Sequence, residues 1–292
     1  MSVHSLPVVF PPCMIWQTSK RKLSFDSPLV MGILNVTPDS FSDGGEFLST
    51  DAALRHAEEL VNEGADIIDV GGESTRPGSR PVPADEEIRR VVPVIEAVAK
   101  WFDTPLSIDT TKSEVASRSI DAGAEIINDI SGLRFDDRIA EVAAATGAGL
   151  VLMHSRGAYE TLHQQPPVEH ILAEVMSGLH RAVDLANARG VSDEQIVLDI
   201  GLGFGKTFEQ NLELIAKLGK IVNEFTAYPL LAGASRKSFI GQICGDRPAS
   251  ERVGGSVAAA MMAVQNGAKI VRVHDVAATA DALRVAAAIR AV

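Results

Sequence analysis

Eight short runs rich in Ile, Val and Leu recur along this chain, and the stretches between them carry apolar residues three and four positions apart. The runs are Leu29 to Leu34, Asp66 to Val70, Pro105 to Ile108, Glu125 to Ile127, Gly149 to Met153, Ile196 to Leu198, Pro229 to Ala232 and Lys269 to Val273. Helical periodicity is plainest over Asp51 to Gly64, Ala84 to Trp101 and Val168 to Gly190. A strand that is apolar along its whole length has both faces covered, and strands separated by helices pair in parallel. Eight such units close on themselves, so the pattern predicts an α/β fold, a single (β/α)8 TIM barrel. An open, doubly wound sheet is the structural alternative.

A weak internal repeat supports the count. EGADIIDV, DAGAEIINDI, TGAGLVLMH and NGAKIVRV each end a helix at Gly64, Gly123, Gly147 or Gly267 and enter a strand at once. Glycine there takes the left-handed conformation that stops a helix. Thr111 and Glu114 have the spacing of a capping box for the helix that follows them. A chain of 292 residues, 46% of them hydrophobic, buries one large core, and no linker marks a second domain. Residues 1–28, with Pro7, Pro11 and Pro12, are expected to form an extension at the barrel's base, and residues 29–292 the barrel.

Charge narrows the function. A net charge of -11 disfavours nucleic acid and anionic membrane as partners, because both need a positive face. A small ligand is expected instead. The least polar helical stretch, Gly254 to Ala268, is too short to cross a bilayer. The proline-broken N-terminus lacks a signal peptide's basic segment. Two cysteines, Cys13 and Cys244, are too few for a disulfide framework and fit a reducing, cytoplasmic location.

In a barrel of this kind the active site lies at the C-terminal ends of the strands. The residues closing the eight runs are Asn35, then Glu73 with Thr75 and Arg76, then Asp109, Asn128 with Asp129, His154, Asp199, Ser235 to Lys237, and Arg272 with His274. Each alone could be cap or turn chemistry, but eight coincident polar endings favour a site. Cations gather there in an acidic chain: Arg76, Arg236, Lys237 and Arg272, with Lys206 and His274 nearby. Such a focus suits phosphate or diphosphate. Asp109 and Asp199 end apolar strands, and a buried carboxylate needs a partner. Lys237 and Arg272 could supply it, or a ligand with several N–H groups on one edge could.

The stretch DIGLGFGKT, Asp199 to Thr207, has neither the Walker nor the dinucleotide-binding spacing: Ile200 and Lys206 stand where those motifs need glycine. Its glycines at 201, 203 and 205 are expected to let a flat ligand lie close to the backbone. Two long loops, Asn35 to Phe47 and Gly71 to Pro83, are expected to act as lids. A third, SRGAYETLHQQPP, is longer still. All histidines except His154 and His274 are assigned to solvated surface, and no His/Cys cluster implies zinc.

At these loops the sequence resembles the dihydropteroate synthase family. MGILNVTPDSFSDGG, DVGGESTRPGS, SIDTTK, IINDISG, LMH, LDIGLGFGKT, GASRKSFIG and VRVHDV match its pattern in order, over roughly residues 14 to 290. The resemblance implies a transferase of the folate pathway that is usually a homodimer. Its substrates would be 6-hydroxymethyl-7,8-dihydropterin diphosphate and 4-aminobenzoate, joined by dissociative substitution. Asn35 would help hold Mg2+. Thr75, Arg76, Arg272 and His274 would grip the diphosphate; Asp109, Asn128, Asp199, Lys237 and Arg272 would bind the pterin, with Met153 lining its slot. Phe41, Pro77, Lys237 and Ser238 would meet 4-aminobenzoate. Catalysis would rest on Arg76, Lys237, Arg272 and His274. Ile200 departs from the proline common in the family. Rival readings are a corrinoid-dependent methyltransferase barrel, a catalytically silent paralogue and a Schiff-base aldolase using Lys237.

Overall fold

The computed structural model describes residues 14–37, 46–75 and 79–291. A short antiparallel hairpin, β1 (Ile15–Gln17) and β2 (Lys22–Ser24), precedes eight barrel strands: β3 (Leu29–Asn35), β4 (Ile67–Gly71), β5 (Leu106–Asp109), β6 (Ile126–Asp129), β7 (Gly149–Met153), β8 (Ile196–Asp199), β9 (Leu230–Ala232) and β10 (Ile270–Val273). They close in sequence order, β10 pairing with both β9 and β3, and every pair is parallel. The helices α1 (Glu46–Glu63), α2 (Ala84–Trp101), α3 (Ser113–Ala122), α4 (Arg138–Thr146), α5 (Ile171–Ala188), α6 (Phe208–Ala216), α7 (Leu218–Glu224), α8 (Ser238–Ile243), α9 (Val253–Gln265) and α10 (Val276–Arg290) fill the crossovers. The open sheet is thereby excluded.

The glycines read as helix stops adopt positive φ: 101° at Gly64, 125° at Gly123, 71° at Gly147 and 109° at Gly267. The Thr111–Glu114 capping box does not form. Lys112 occupies the N-cap of α3 without a side-chain cap bond, and the Ser113 N–H and hydroxyl donate to Asp136 Oδ2 at 2.9 and 2.6 Å. The helix starts one residue later than a Thr111 cap requires, and its first N–H is satisfied by a carboxylate from the neighbouring loop.

Apolar side chains form two main layers. One lies between strands and helices and includes Leu60, Val91, Ile108, Leu152, Val175, Leu198 and Val271. The other fills the lower barrel interior with Met31, Ile67, Ile126, Val151, Val197, Leu231 and Ile270, closed from beneath by Trp16 and Phe25. Trp16 is fully buried, and its indole N–H donates to the Gln195 carbonyl at 2.7 Å. The hairpin is also anchored through Thr18, whose hydroxyl donates to Glu125 Oε2 at 2.5 Å, and through Arg21, 3.1 Å from the same oxygen. Burial of each such large side chain contributes about 1.5–3 kcal/mol, so the base is plugged and the opposite end is left for polar groups. Among the described residues, no helix is long and apolar enough to cross a membrane.

Candidate active site

Side chains alternate between the two faces of a strand, so the residue two beyond each inward apolar residue also points inward, one layer higher. Two beyond Ile67, Ile126, Val151, Val197 and Ile270 come Asp69, Asn128, Met153, Asp199 and Arg272. The plugged base thus gives way in one step to a polar layer. Strand register sets a row at the rim: Asn35 pairs with Gly71, Gly71 with Asp109, and Asp109 with Asn128. Asn35 Oδ1 and Asp109 Oδ2 both flank Gly71, at 3.8 and 3.9 Å from the point where its Cβ would lie. Asp109, Asn128 and Asp199 belong to the strands, which run one or two residues further than their apolar runs.

Arg272 joins the layer together. Its Nε donates to Asp69 Oδ2 and its terminal nitrogen to Asp109 Oδ2, both at 2.6 Å, while Asn128 Nδ2 donates to the same Asp69 oxygen at 3.0 Å. Asp69 is fully buried, and its other oxygen has no hydrogen-bond partner among the described residues. Burial alone would lower the Arg272 pKa, but the two carboxylates outweigh it and raise it. Burial pushes Asp109 up to about 7; the charges of Asp69, Glu87 and Glu73 add to this and Arg272 opposes it. Asp69 was hidden from sequence reasoning because it lies inside an apolar run.

Asp199 and Lys237 do not form a direct ion pair. Asp199 Oδ1 accepts from the Gly201 N–H at 2.7 Å, and burial raises its pKa against the attraction of Lys237. The Lys237 ammonium donates to the Leu202 carbonyl and stands 4.7 Å from the centre of the Phe204 ring. Burial lowers it to about 8, with Asp199 opposing and Arg272 adding.

The glycines of the Asp199 to Thr207 loop are required by the protein's own packing. Its three glycines have φ of 64°, 81° and 66°, and a Cβ on Gly201 would sit 1.9 Å from the His154 carbonyl oxygen, one on Gly203 2.9 Å from Lys237 Cδ. The missing side chains let the loop close onto the protein itself, seating Lys237 under Phe204.

Other assignments are corrected as well. Arg236 is not a free cation of the mouth, because it forms a two-pronged ion pair with Asp275. Lys206 faces His154 Nδ1 and the carbonyls of His154 and Phe204, at 3.0, 3.2 and 3.1 Å. His163 is not solvated surface: its ring nitrogens lie 2.7 Å from the Thr75 carbonyl and 3.0 Å from that of Gly203. Tyr159 donates to the Ser74 carbonyl at 3.1 Å. The loop SRGAYETLHQQPP therefore ties the Gly71 to Pro83 loop to the glycine loop. Glu73 pairs with Lys112 at 2.8 Å, and Lys112 with the buried Glu87 at 2.6 Å, so Glu73 is already partnered.

Of the remaining predicted residues, Thr75 is placed by that tie, and His274 is fixed through Ser235, whose hydroxyl lies 3.1 Å from its Nδ1. Ser238 opens α8 directly after Lys237. Met153 lies beside Asp199 in register and is buried. Phe41, Arg76 and Pro77 lie outside the described residues. Among the described residues no three His, Cys, Asp or Glu side chains cluster to hold a metal.

Residues 31–274 match the family described as pterin binding enzyme. The dihydropteroate synthase of Synechocystis sp. is 48% identical over 260 residues, 89% of each chain. Among solved structures, Xanthomonas albilineans dihydropteroate synthase with 4-aminobenzoic acid superposes with a TM-score of 0.89 at 44% identity, over 96% of this chain and 99% of that one. Yersinia pestis dihydropteroate synthase in complex with a sulfonamide drug gives 0.88 at 42%, over 96% and 100%. With a family model spanning most of its length and a relative 48% identical over 89% of it, the chain belongs to the pterin-binding enzymes, as a member of the dihydropteroate synthase family.

Proposed function

We propose that this chain joins 6-hydroxymethyl-7,8-dihydropterin diphosphate to 4-aminobenzoate, as a transferase that works by dissociative substitution. The observation that carries the reading is the polar layer above the plugged base, where Arg272, Asp69, Asp109, Asn128, Asp199 and Lys237 converge. Its carboxylates and amide suit a flat heterocycle rich in N–H donors. Asp109, Asn128, Asp199 and Lys237 bind the ring, with Met153 along its face. Thr75, Arg76, Arg272 and His274 hold the diphosphate.

The bond from the pterin methylene carbon to oxygen breaks with its electron pair leaving on the diphosphate. The neutral aniline nitrogen then attacks the methylene cation and loses one proton. No strong base is required, because the aniline is already a free nucleophile. Arg272 is held by two carboxylates, so its guanidinium is oriented before charge develops, which is where fixed positive groups are most effective. Phe41 and Pro77, with Lys237 and Ser238, enclose the 4-aminobenzoate and exclude water from the cation. The Xanthomonas enzyme's complex with 4-aminobenzoic acid supports that choice of amine.

Mg2+ takes oxygen ligands and is usually held by one or two protein groups plus substrate phosphates and water. Asn35 Oδ1 at the rim, beside Asp109, fits that modest donor set. The ion would neutralise charge on the departing diphosphate. A cytoplasmic homodimer completes the reading: Ile243, Met262, Val285 and Ile289, on α8 to α10, are 58, 47, 59 and 70% exposed, apolar side chains that a second copy would cover.

The test is to combine protein, Mg2+, dihydropterin diphosphate and isotopically labelled 4-aminobenzoate and follow label into dihydropteroate. Product should form, and Arg272→Ala should lower turnover at least about 1,000-fold while keeping the fold. No labelled product from the intact protein would overturn the assignment.

A further inference from the structure

A cavity with both apolar and polar lining lies outside the barrel wall, between the ends of β6 and β7 and the face of α5. It measures about 220 Å³ and is lined by Ser131, Arg134, His154, Ser155, Gly178 and Arg181, among others. At roughly 30 Å³ per water, it has room for a small ion with part of its hydration shell.

Two arginines and a histidine stand in it beside the hydroxyls of Ser131 and Ser155. Arg134 donates only to neutral oxygens, those of Ser131, Ser155 and Gly157, and Arg181 to the Ser177 hydroxyl. Neither arginine has a carboxylate within 4 Å among the described residues, although the buried Asp129 acts on Arg134 from further away. His154, 4% exposed, has Nδ1 within 3.0 Å of the Lys206 ammonium, so with Lys206 donating there the ring proton is on Nε2. That Nε2–H faces the cavity with no hydrogen-bond acceptor; Glu174 is the nearest carboxylate, at 4.0 Å. The missing side chain of Gly178 makes the donors converge. His154 Nε2 and Arg181 Nη2 lie 3.1 and 3.5 Å from the point its Cβ would occupy. Burial, then the charges of Lys206, Arg134, Arg156 and Arg181, hold the His154 pKa down to about 2. The ring is therefore a neutral donor in a positive field.

We propose that this cavity binds a small oxyanion of the phosphate class, held by Arg134, Arg181 and the Nε2–H of His154. Two guanidinium groups and a fixed N–H offer charge-assisted hydrogen bonds to a tetrahedral anion. His154 directly follows Met153 of the polar layer, and Lys206 directly follows the glycine loop, so an anion here sits behind the proposed pterin slot and is separate from the proposed diphosphate clamp.

The test uses the full chain labelled with 15N-histidine and titrated with inorganic phosphate, with chloride at matched ionic strength as control. The His154 ring signal, assigned by its loss in His154→Gln, should shift saturably with phosphate and stay fixed with chloride. Arg181→Ala and Arg134→Ala should each weaken the response about tenfold or more, and Arg181→Ala should leave turnover unchanged. Arg272→Ala should leave the response intact. A signal that does not move, that moves equally with chloride, that ignores Arg181→Ala, or that vanishes in Arg272→Ala because the anion sits in the barrel mouth would each overturn the proposal.

Discussion

Replacing Asp69 by alanine tests the network that orients Arg272. In the intact protein Arg272 touches two carboxylates at 2.6 Å each, and Asn128 shares one of the Asp69 oxygens. Removing one partner of a buried ion pair costs about 3–5 kcal/mol, and two charges ~4 Å apart at an effective dielectric of ~20 interact by about 4 kcal/mol. Arg272 keeps Asp109 and its side chain is 21% exposed, so the lower end applies, about 3 kcal/mol. For a domain of this size that lowers Tm by roughly 6–12 °C. The guanidinium is also freed to rotate, and misplacement of about 1 Å at a reacting centre costs roughly 100-fold in rate. Asp69→Asn keeps an acceptor for Arg272 Nε and should fall between alanine and the natural residue in both readouts. Chemical denaturation and the diphosphate-release rate measure the two effects separately. A change below about 1 kcal/mol together with unaltered turnover in Asp69→Ala would refute the idea that this carboxylate positions Arg272.

The raised pKa of Asp109 gives a signed pH dependence. The folded chain holds this proton up to about 7 and the unfolded chain only to about 4, so the contribution of Asp109 to stability falls as pH rises from about 4 to 7 and is level beyond. Asp109→Asn should remove that decline from denaturant midpoints; identical slopes in both proteins would refute the assignment. Trp16→Ala, far from the mouth, opens the plugged base and should cost about 3–5 kcal/mol, with near-normal turnover at low temperature; large loss of rate without loss of stability would contradict the layered account. Gly201→Ala places a Cβ 1.9 Å from the His154 carbonyl at φ 64° and should weaken pterin binding at least about tenfold in calorimetry; unchanged affinity would show that the loop does not seat Lys237. Val285→Asp with Ile289→Asp should convert a dimer to monomer in sedimentation analysis, and an unchanged dimer would place the interface elsewhere.

The barrel was legible because parallel strands covered on both faces leave uninterrupted apolar runs, and because glycines such as Gly123 and Gly267 mark helix ends by a backbone conformation few other residues tolerate. The rim residues Asn35, Asp109, Asn128 and Asp199 were legible for the same reason: each stands where an apolar run stops. Asp69 was not, since a charge within a strand looks like part of the strand until the inward layer is known. Arg236 was misplaced because spacing cannot reveal that Asp275 pairs with it, and the partners of Lys206, His154 and Phe204, were equally hidden. His163 was missed because its partners are backbone carbonyls 40 and 88 residues away, which leave no mark on composition. The Thr111–Glu114 spacing failed because α3 begins one residue later, at Ser113, where Asp136 from another loop meets its first N–H.

The most direct test of the central claim, that the polar layer above the plugged base is the seat of pterin–amine condensation, is diphosphate release from dihydropterin diphosphate measured with increasing 4-aminobenzoate. Release should rise with the amine, saturate, and match dihydropteroate formed one for one. Release indifferent to the amine, or none with either substrate present, would contradict it.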